Sequence, residues 1–479
     1  MIKAKGGGMN DDEVGIEMKS ITDKRPPHLI QQYEINEMMR AEIESSKQNE
    51  ITRLEEVERG KMKKAEKETL DYINEETLNF LKTTKWTFGE KLEKIKKFFE
   101  NFDLLYATDT VKRIGGESKN GFVKEITFTK NGYSASAVLK SSFTATADTV
   151  PDNLMYEYRV GLFLNKMSLL YPCFLETYNL YSYESQDYQT TVESVFQKNN
   201  TIDSEVLKGY LRPQNYNLKF ACTNPTQTCI LIQHLKNAVS AYDFVASGNV
   251  NLIYDVLTML YQIYFVLNAM KDIFTHYDLH TGNVLLYEPS PDKYVHYHYK
   301  HGDSIRSFKS IYVVKIIDYG RCYFKDTNES SYDIRKALCA ETACEPNCGE
   351  NVGFDWLKNN NDYNTPYFIN SSILNNSHDL KFVRFLLWQM AENPKIDKYA
   401  MEVLSSTFSK IIYDQAHGTR SLDVCDTKIC NVTTMFNELE RIIGHVDLDK
   451  EFDKYYKNRT KLGDMYVYDD KRPLEFIEV

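Results

Sequence analysis

The stretch of the sequence best suited to chemistry is "HYDLHTGNVLL", residues 276–286, in which polar side chains precede an apolar run. Asp278 and Asn283 stand on either side of a short turn that contains Gly282. Such a turn can direct both side chains into one cavity. A carboxylate there is suited to accept a hydroxyl proton, and the carbonyl oxygen of an Asn is a hard ligand for Mg²⁺. The stretch therefore predicts a site where a proton moves and a metal ion is held.

Two more acidic residues and a lysine favour the same kind of site. Asp318 ends the apolar run "SIYVVKIID" and is followed by Tyr-Gly, which makes it a candidate second metal ligand. Lys140 closes the β-like run "SASAVLK", where a buried ammonium is costly unless it meets an anion. Glu157, in an amphipathic helical pattern, is a candidate partner for Lys140. The alternatives are a lysine that reaches water from the strand end and a glutamate that is solvated.

A glycine-bearing turn precedes these residues in the chain. Gly115, Gly116 and Gly121 lie in "RIGGESKNGFVKEI", between two β-like segments. Because Gly lacks a side chain and tolerates φ > 0, such a turn lets the backbone approach a phosphate closely. The turn also fits an ordinary hairpin loop, and the residues alone do not decide between the two interpretations.

Several regions of different composition surround and position these residues. Residues 1–29 are predicted to be a disordered lead. Residues 30–102 are rich in Glu and Lys and have apolar positions at helical spacing, which predicts a helical extension. This extension is a possible surface for a helical partner. From about residue 106 short β-like runs appear, and long helical patterns follow after residue 250. This order predicts an α+β unit with a small β-rich lobe and a larger helical lobe.

Composition and charge exclude several other classes of protein. The net charge of −10 argues against a wholesale nucleic-acid binder, and no nucleic acid is expected as a partner. The most apolar segment, residues 252–270, carries Asp255, Gln262 and Asn268, so it is too polar for a membrane span and predicts a buried helix. The leading residues lack the apolar stretch of a signal peptide. We therefore expect a soluble, intracellular protein whose nine cysteines are mostly reduced.

The order of the parts is that of phosphoryl transfer from ATP: glycine loop, strand Lys, helix Glu, Asp…Asn loop and strand-end Asp-x-Gly. Residues 106–390 resemble the eukaryotic-type protein kinase family. "AVLK" is similar to that family's "VAIK", "HYDLHTGN" to "HRDLxxxN" with the same Asp-to-Asn spacing, and "DYG" to "DFG". The "DLHxGN" loop also resembles haspin-type kinases and the kinase-like proteins of large DNA viruses. The resemblance implies a bilobal kinase fold with an N-lobe at 106–235 and a C-lobe at 236–479.

The resemblance also implies roles for individual residues. Asp278 would be the catalytic base, with Lys140 and Asn283 also catalytic, and Asn283 and Asp318 would hold Mg²⁺. Lys140, paired with Glu157, would contact the ATP phosphates, and Gly115, Gly116 and Gly121 would cover these phosphates. Gln233 and Leu235 would lie in the hinge that meets the adenine. Asp379, in "NNSHDLKF", resembles the large-lobe Asp that braces the catalytic loop, and it equally fits a plain helix N-cap.

Several departures from the family pattern concern regulation and substrate. Tyr277 stands where the family has an Arg that usually reads a phosphorylated activation loop, so control by such phosphorylation is not expected. His280 replaces the Lys common in Ser/Thr kinases, and no clear "APE" follows Gly320. His276 is interpreted as a scaffolding residue of the loop. Reaction class is thus better defined than substrate class.

Two clusters have the residue types of metal sites. Cys339, Cys344 and Cys348 lack the tight CxxC pairs of strong zinc motifs, so free thiols in a loop are the default interpretation and structural zinc is the alternative. "HYHYKH", with His296, His298 and His301, lies in an insertion between residues 287 and 309. The alternating Tyr and His residues also fit one face of a hairpin strand.

These observations lead to the hypothesis of an ATP- and Mg²⁺-dependent Ser/Thr protein kinase that acts on a protein substrate. Two alternatives stay open. A small-molecule phosphotransferase would share the motifs but act on a metabolite hydroxyl. A catalytically weak kinase-like scaffold would act through its N-terminal helices.

Overall fold

The computed structural model describes residues 96–102, 111–114, 121–130, 133–142, 154–199, 201–215, 227–248, 252–334, 355–360, 365–396, 398–408 and 429–479, and the single positions 45, 52 and 411. Apart from positions 45 and 52, all of them belong to one compact unit, residues 80–479. The predicted lead, 1–29, and most of the predicted helical extension, 30–102, lie outside the described residues.

Antiparallel strands dominate the described chain before residue 234. They are β1 (Val111–Ile114), β2 (Gly121–Lys130), β3 (Tyr133–Ser142), β4 (Thr177–Tyr183), β5 (Thr201–Ile202), β6 (Leu211–Pro213) and β7 (Thr228–Gln233). They form one curled sheet in the order β5-β1-β2-β3-β7-β4-β6. Buried and half-buried positions alternate along β2, as expected for a strand with one face on a core. The short β-like runs predicted from about residue 106, among them "SASAVLK", are thus confirmed as strands.

Three helices accompany this sheet: α1 (Leu154–Met167), α2 (Gln186–Asn199) and α3 (Ser204–Tyr210). The first turn of α1 packs on the sheet through Leu154 and Met155, which contact Leu180 of β4 and Ile230 of β7. This contact sets the height of α1 over the strands. It thereby decides which side chain of the helix, one turn further on, faces the end of β3.

The later part of the described chain is built around one buried helix. Its helices are α4 (Ala241–Ser247), α5 (Leu252–Ala269), α6 (Lys381–Glu392), α7 (Lys398–Phe408), α8 (Val432–Ile443) and α9 (Leu448–Tyr456). Helix α5 is buried along nearly its whole length, with its polar residues Asp255 and Gln262 buried as well, as in a helix enclosed by other elements. Tyr261 of α5 makes ring contacts with Tyr299, Phe308 and Phe436. The predicted buried helix is confirmed.

Short strands complete this part of the molecule. They are β8 (Val239–Ser240), β9 (Phe274–Thr275), β10 (Val284–Tyr287), β11 (Lys293–His301), β12 (Ser304–Ser310), β13 (Val313–Ile316), β14 (Tyr323–Phe324), β15 (Asp355–Asn360), β16 (Thr365–Asn370), β17 (Thr460–Tyr468) and β18 (Glu475–Glu478). Strand β10 pairs with β13 and β8, β9 with β14, and β15 with β16. These pairings bring the 276–286 stretch beside residues 313–318.

The insertion predicted between residues 287 and 309 forms the hairpin β11–β12. Tyr297 and Tyr299 of β11 are buried, whereas His296 and His298 lie on the partly exposed face, so the prediction of a hairpin strand with alternating faces is confirmed. The hairpin belongs to a sheet ordered β12-β11-β17-β18, in which β11 and β17 run parallel. The partner strand β17 comes from much later in the chain.

The described chain is therefore a mixed α/β protein. The segment 96–102, which composition assigned to the N-terminal extension, packs on the sheet: Phe102 stacks on Tyr178 and contacts Phe128. The two-lobed arrangement stays a prediction. Among the described residues, none of the helices combines the length and the apolarity needed to cross a lipid bilayer.

Candidate active site

Lys140 forms a buried ion pair with a helix glutamate and a second one with a strand-end aspartate. Its position in β3 is opposite Val123 of β2 and Ile230 of β7. Lys140 Nζ lies 2.8 Å from Glu157 Oε2 and 2.9 Å from Asp318 Oδ1. Glu157 is 3 % exposed, so it is not the solvated glutamate of the alternative interpretation. The three groups join the sheet, helix α1 and the segment after β13 at one point.

A carboxylate from a distant part of the chain holds the 276–286 loop in place. Asp379 Oδ2 accepts a hydrogen bond from the backbone N–H of His276 (2.8 Å), and Asp379 Oδ1 accepts one from that of Tyr277 (2.9 Å). Tyr277 has a φ of +63°, in the left-handed region that a bulky residue rarely adopts. The two bonds compensate for this strain immediately before Asp278. Asp379 makes no helix-capping bond at α6, so its alternative interpretation as an N-cap is wrong.

His276 joins the loop to the strand that carries Asp318. It is fully buried, and burial lowers its pKa to about 4, so the ring is neutral at pH 7. Its Nε2 donates to the carbonyl oxygen of Ile317 at 3.0 Å, which leaves Nδ1 as the unprotonated acceptor, and Nδ1 has no hydrogen-bond partner in the described part of the chain. The Ile317 N–H in turn donates to the carbonyl oxygen of Asn283 at 3.0 Å. The scaffolding role predicted for His276 agrees with these contacts.

The donors suited to a hard cation come from both sides of this junction. Asn283 is anchored through its amide nitrogen, which donates to the backbone carbonyl of Asp278 at 2.9 Å; that bond leaves the amide oxygen as a ligand. Asp318 has a φ of +68°, and Lys140 contacts only one of its carboxylate oxygens at 2.9 Å. The amide oxygen of the buried Asn283 and a carboxylate oxygen of the partly exposed Asp318 form a donor set that fits Mg²⁺.

The carboxylate of Asp278 is surrounded by positive charge. Burial raises its pKa, but the charges of His280, Lys381 and Arg321 outweigh this effect and leave the pKa below its ordinary value. His280 Nε2 lies 4.0 Å from Asp278 Oδ1, while its Nδ1 accepts a hydrogen bond from the Gly282 N–H. Asp278 is therefore ionised at neutral pH.

Two of these cations were missed by the sequence analysis. Lys381 is buried at the start of α6, where burial lowers its pKa to about 7, and Arg321 directly follows the "DYG" tripeptide. Arg321 follows a motif and was therefore detectable. Lys381 lies 103 residues after Asp278 in the numbering, and only the path of the chain between them brings it close.

The remaining predicted nucleotide contacts are less informative. Gly115 and Gly116 lie outside the described residues. A Cβ at Gly121, the first residue of β2, would come 2.3 Å from the backbone oxygen of Ser141, so close strand packing accounts for this glycine. Gln233 is the last residue of β7 and Leu235 lies just beyond it, and the Gln233 N–H donates to the Glu176 carbonyl at 2.8 Å. Adenine contact by Gln233 and Leu235 stays a prediction.

The two predicted metal clusters have different outcomes. Cys339, Cys344 and Cys348 lie outside the described residues, so free thiols and structural zinc both stay open there. The histidines of "HYHYKH" are all described. His301 pairs with Asp469 at 2.6 Å, whereas His296 and His298 share another partner, Asp464.

Comparisons with known proteins give a partial likeness among solved structures. Neither a family model nor a curated protein matches this chain. Among solved structures, a kinase domain from Plasmodium matches at 15% identity with a TM-score of 0.25. The match covers 47% of this chain and 54% of that domain, so the chain spans about half of that structure's length. A kinase domain is thus among the structural neighbours, but a TM-score this low does not establish a common fold.

Proposed function

We propose that this chain is an ATP- and Mg²⁺-dependent protein kinase of two-lobed architecture that transfers the γ-phosphate of ATP to Ser or Thr hydroxyls of a protein. The observation that carries the proposal is the meeting of separate elements at one point. Lys140 contacts Asp318, Asn283 is bonded to the Asp278 backbone, and Ile317, which directly precedes Asp318, is bonded to Asn283. A cation, a proton acceptor and hard oxygen ligands in this arrangement are the groups that phosphoryl transfer needs.

The charge state of Asp278 defines its part in the reaction. A carboxylate with a lowered pKa is ionised but weakly basic, so it orients the acceptor hydroxyl and receives its proton late in the transfer. This suits a loose transition state, in which bond formation by the nucleophile lags behind bond breaking. The clamp of Asp379 on the two preceding backbone N–H groups fixes the direction of the carboxylate.

The remaining groups position the nucleotide phosphates. Lys140, held by Glu157, would meet the phosphate oxygens, and Lys381 and Arg321 would add positive charge beside the transferred group. Mg²⁺, when bound by Asn283 and Asp318, would neutralise charge on the phosphates. Preorganised charges of this kind supply most of the rate enhancement in a reaction with little covalent chemistry for the protein.

The test is γ-phosphate transfer from labelled ATP by the full chain and by Asp278→Asn. The variant keeps the size of the side chain but cannot accept the proton, so kcat should fall by about 10²- to 10⁴-fold. Asp272→Asn, an exposed position just after α5, is the matched control and should keep wild-type activity. Equal kcat for Asp278→Asn and wild type would refute the proposal.

The acceptor class and the scaffold alternative need separate measurements. Peptide libraries with Ser, Thr and Tyr acceptors, run beside a panel of metabolite alcohols, should show transfer to Ser/Thr peptides. Transfer confined to the metabolites would reassign the substrate and leave the role of Asp278 intact. The scaffold alternative predicts that Mg-ATP does not change the thermal unfolding midpoint, whereas a kinase should be stabilised by its nucleotide.

A further inference from the structure

A cluster of two histidines and an aspartate lies on the sheet formed by the β11–β12 hairpin and β17, outside the proposed active site. The parallel pairing aligns His296 with Asp464 and His298 with Tyr466. His296 and His298, two residues apart on one face of β11, both turn toward the same carboxylate oxygen. The distances to Asp464 Oδ1 are 3.3 Å from His296 Nδ1 and 2.9 Å from His298 Nε2.

The spacing of these three atoms is that of ligands around a transition-metal ion. Two ligand atoms that each lie about 2.0–2.1 Å from a zinc ion are roughly 2.9–3.4 Å apart in octahedral or tetrahedral coordination. Both nitrogen-to-oxygen distances fall in this interval, and the three atoms lie within 4.8 Å of one another. The imidazole centroids are only 4.2 Å apart, a crowding that a single histidine–carboxylate pair would not need.

The contacts around the cluster fix the ligand atoms. His298 Nδ1 lies 2.9 Å from the hydroxyl oxygen of Ser307, which holds the ring so that Nε2 faces Asp464. Metal-bound histidines are commonly oriented by such a bond at the second nitrogen. Lys461 Nζ contacts the other carboxylate oxygen, Oδ2, at 2.6 Å and so leaves Oδ1 as the single oxygen ligand.

We propose that His296, His298 and Asp464 bind a divalent transition-metal ion of the zinc class, with remaining positions open to water. Two imidazole nitrogens and one carboxylate oxygen suit Zn²⁺, whereas Mg²⁺ and Ca²⁺ are bound in proteins by oxygen ligands. The ion would link β17 to the inserted hairpin. Its role is structural, since the hairpin packs through Tyr299 and Phe308 against Tyr261 of the central helix.

Isothermal titration of the metal-free full chain with ZnCl₂ tests the proposal against a matched control. His298→Ala should lose the site or bind Zn²⁺ at least about tenfold more weakly, as should Asp464→Asn. His301→Ala removes another half-exposed histidine of β11 that pairs with one aspartate, Asp469, and it should bind as wild type does. Absence of Zn²⁺ binding by the wild type, or equal affinity in His298→Ala, would overturn the proposal.

Co²⁺ in place of Zn²⁺ separates this cluster from the cysteines at 339, 344 and 348. A site of two histidines and one aspartate should give visible d–d absorption without the intense near-ultraviolet band of thiolate ligands. The variants His298→Ala and Asp464→Asn should both lose the d–d signal. Circular dichroism shows whether His298→Ala or Asp464→Asn fails to fold. His296→Gln, which changes a side chain that is 28 % exposed, then takes the place of the misfolded variant. A wild-type Co²⁺ spectrum with thiolate bands only, or a d–d signal that is unchanged in His296→Gln, would refute the proposal.

Discussion

The clamp that Asp379 forms on the 276–286 loop is the contact whose loss should be most diagnostic. Its two oxygens accept hydrogen bonds from two different backbone N–H groups, those of His276 and Tyr277, which are both fully buried. In Asp379→Asn one oxygen becomes an NH₂ group, so one N–H loses its acceptor and faces another donor. An unsatisfied buried donor costs about 1–3 kcal/mol, and a lost bond to a charged acceptor is of similar size. We expect the free energy of unfolding to fall by about 2–4 kcal/mol.

The same change should reduce activity, because the strained backbone of Tyr277 immediately precedes Asp278. Relaxation of that strain, worth roughly 1–3 kcal/mol, would turn the carboxylate away and lower kcat by about tenfold or more. Urea unfolding and ATP-dependent transfer at pH 8 measure the two effects.

Asp203 provides a matched control for this prediction. It also accepts bonds from two backbone N–H groups, at the start of α3, but a single exposed oxygen, Oδ1, accepts both. Asn can make those two bonds, so Asp203→Asn should change stability by less than about 0.5 kcal/mol. If Asp379→Asn were as stable and as active as Asp203→Asn, the clamp would have no such function.

Four other predictions concern the same site. Because burial lowers the pKa of His276 from 6.5 to about 4, the unfolded chain binds more protons between these pH values. The free energy of unfolding should therefore fall by up to about 3 kcal/mol as pH decreases from 6.5 to 4, and urea titrations of His276→Gln should lack this part of the slope. Glu157→Gln removes the buried anion beside Lys140, and kcat/KM for ATP should fall by about 10- to 100-fold in steady-state assays. EDTA should abolish transfer and added Mg²⁺ restore it, whereas Zn²⁺ should not, since the ligands at Asp318 and its neighbours are hard oxygens. Phosphatase treatment should leave the rate of transfer unchanged, because Tyr277, bonded through its hydroxyl to the Ile373 carbonyl at 2.7 Å, fixes the loop without a phosphate.

The local parts of this molecule could be predicted from the sequence. Alternation along β2, the apolar length of α5 and the amphipathic pattern of α1 depend on neighbouring residues, so the strands and helices were found near their observed bounds. The spacing from Asp278 to Asn283 is a property of one turn and could be predicted from the sequence equally well. Where chemistry is carried by a short segment, residue type and spacing are sufficient.

Contacts between distant segments could not be predicted. Lys381 and Asp278 approach each other because β9, the 276–286 loop and α6 pack together, and local periodicity contains no information about that packing. Asp464 joins His296 and His298 only through the parallel pairing of β11 with β17. Gly121 shows another limit: its residue type suggested a phosphate-binding turn, but the close passage of Ser141 is sufficient reason for a glycine.

The parallel pairing of β11 with β17 has a consequence for how the chain folds during synthesis. Asp464 of β17 follows His298 of β11 by 166 residues, so the hairpin is made long before its partner strand exists. Until then one edge of β11 exposes unpaired backbone groups, a template for misplaced strands. Closing so long a loop is slow, because its entropy is lost before any contact forms. Completion of β17 should therefore be the late step in folding, and substitutions within it should slow the gain of native structure more than those in the early sheet.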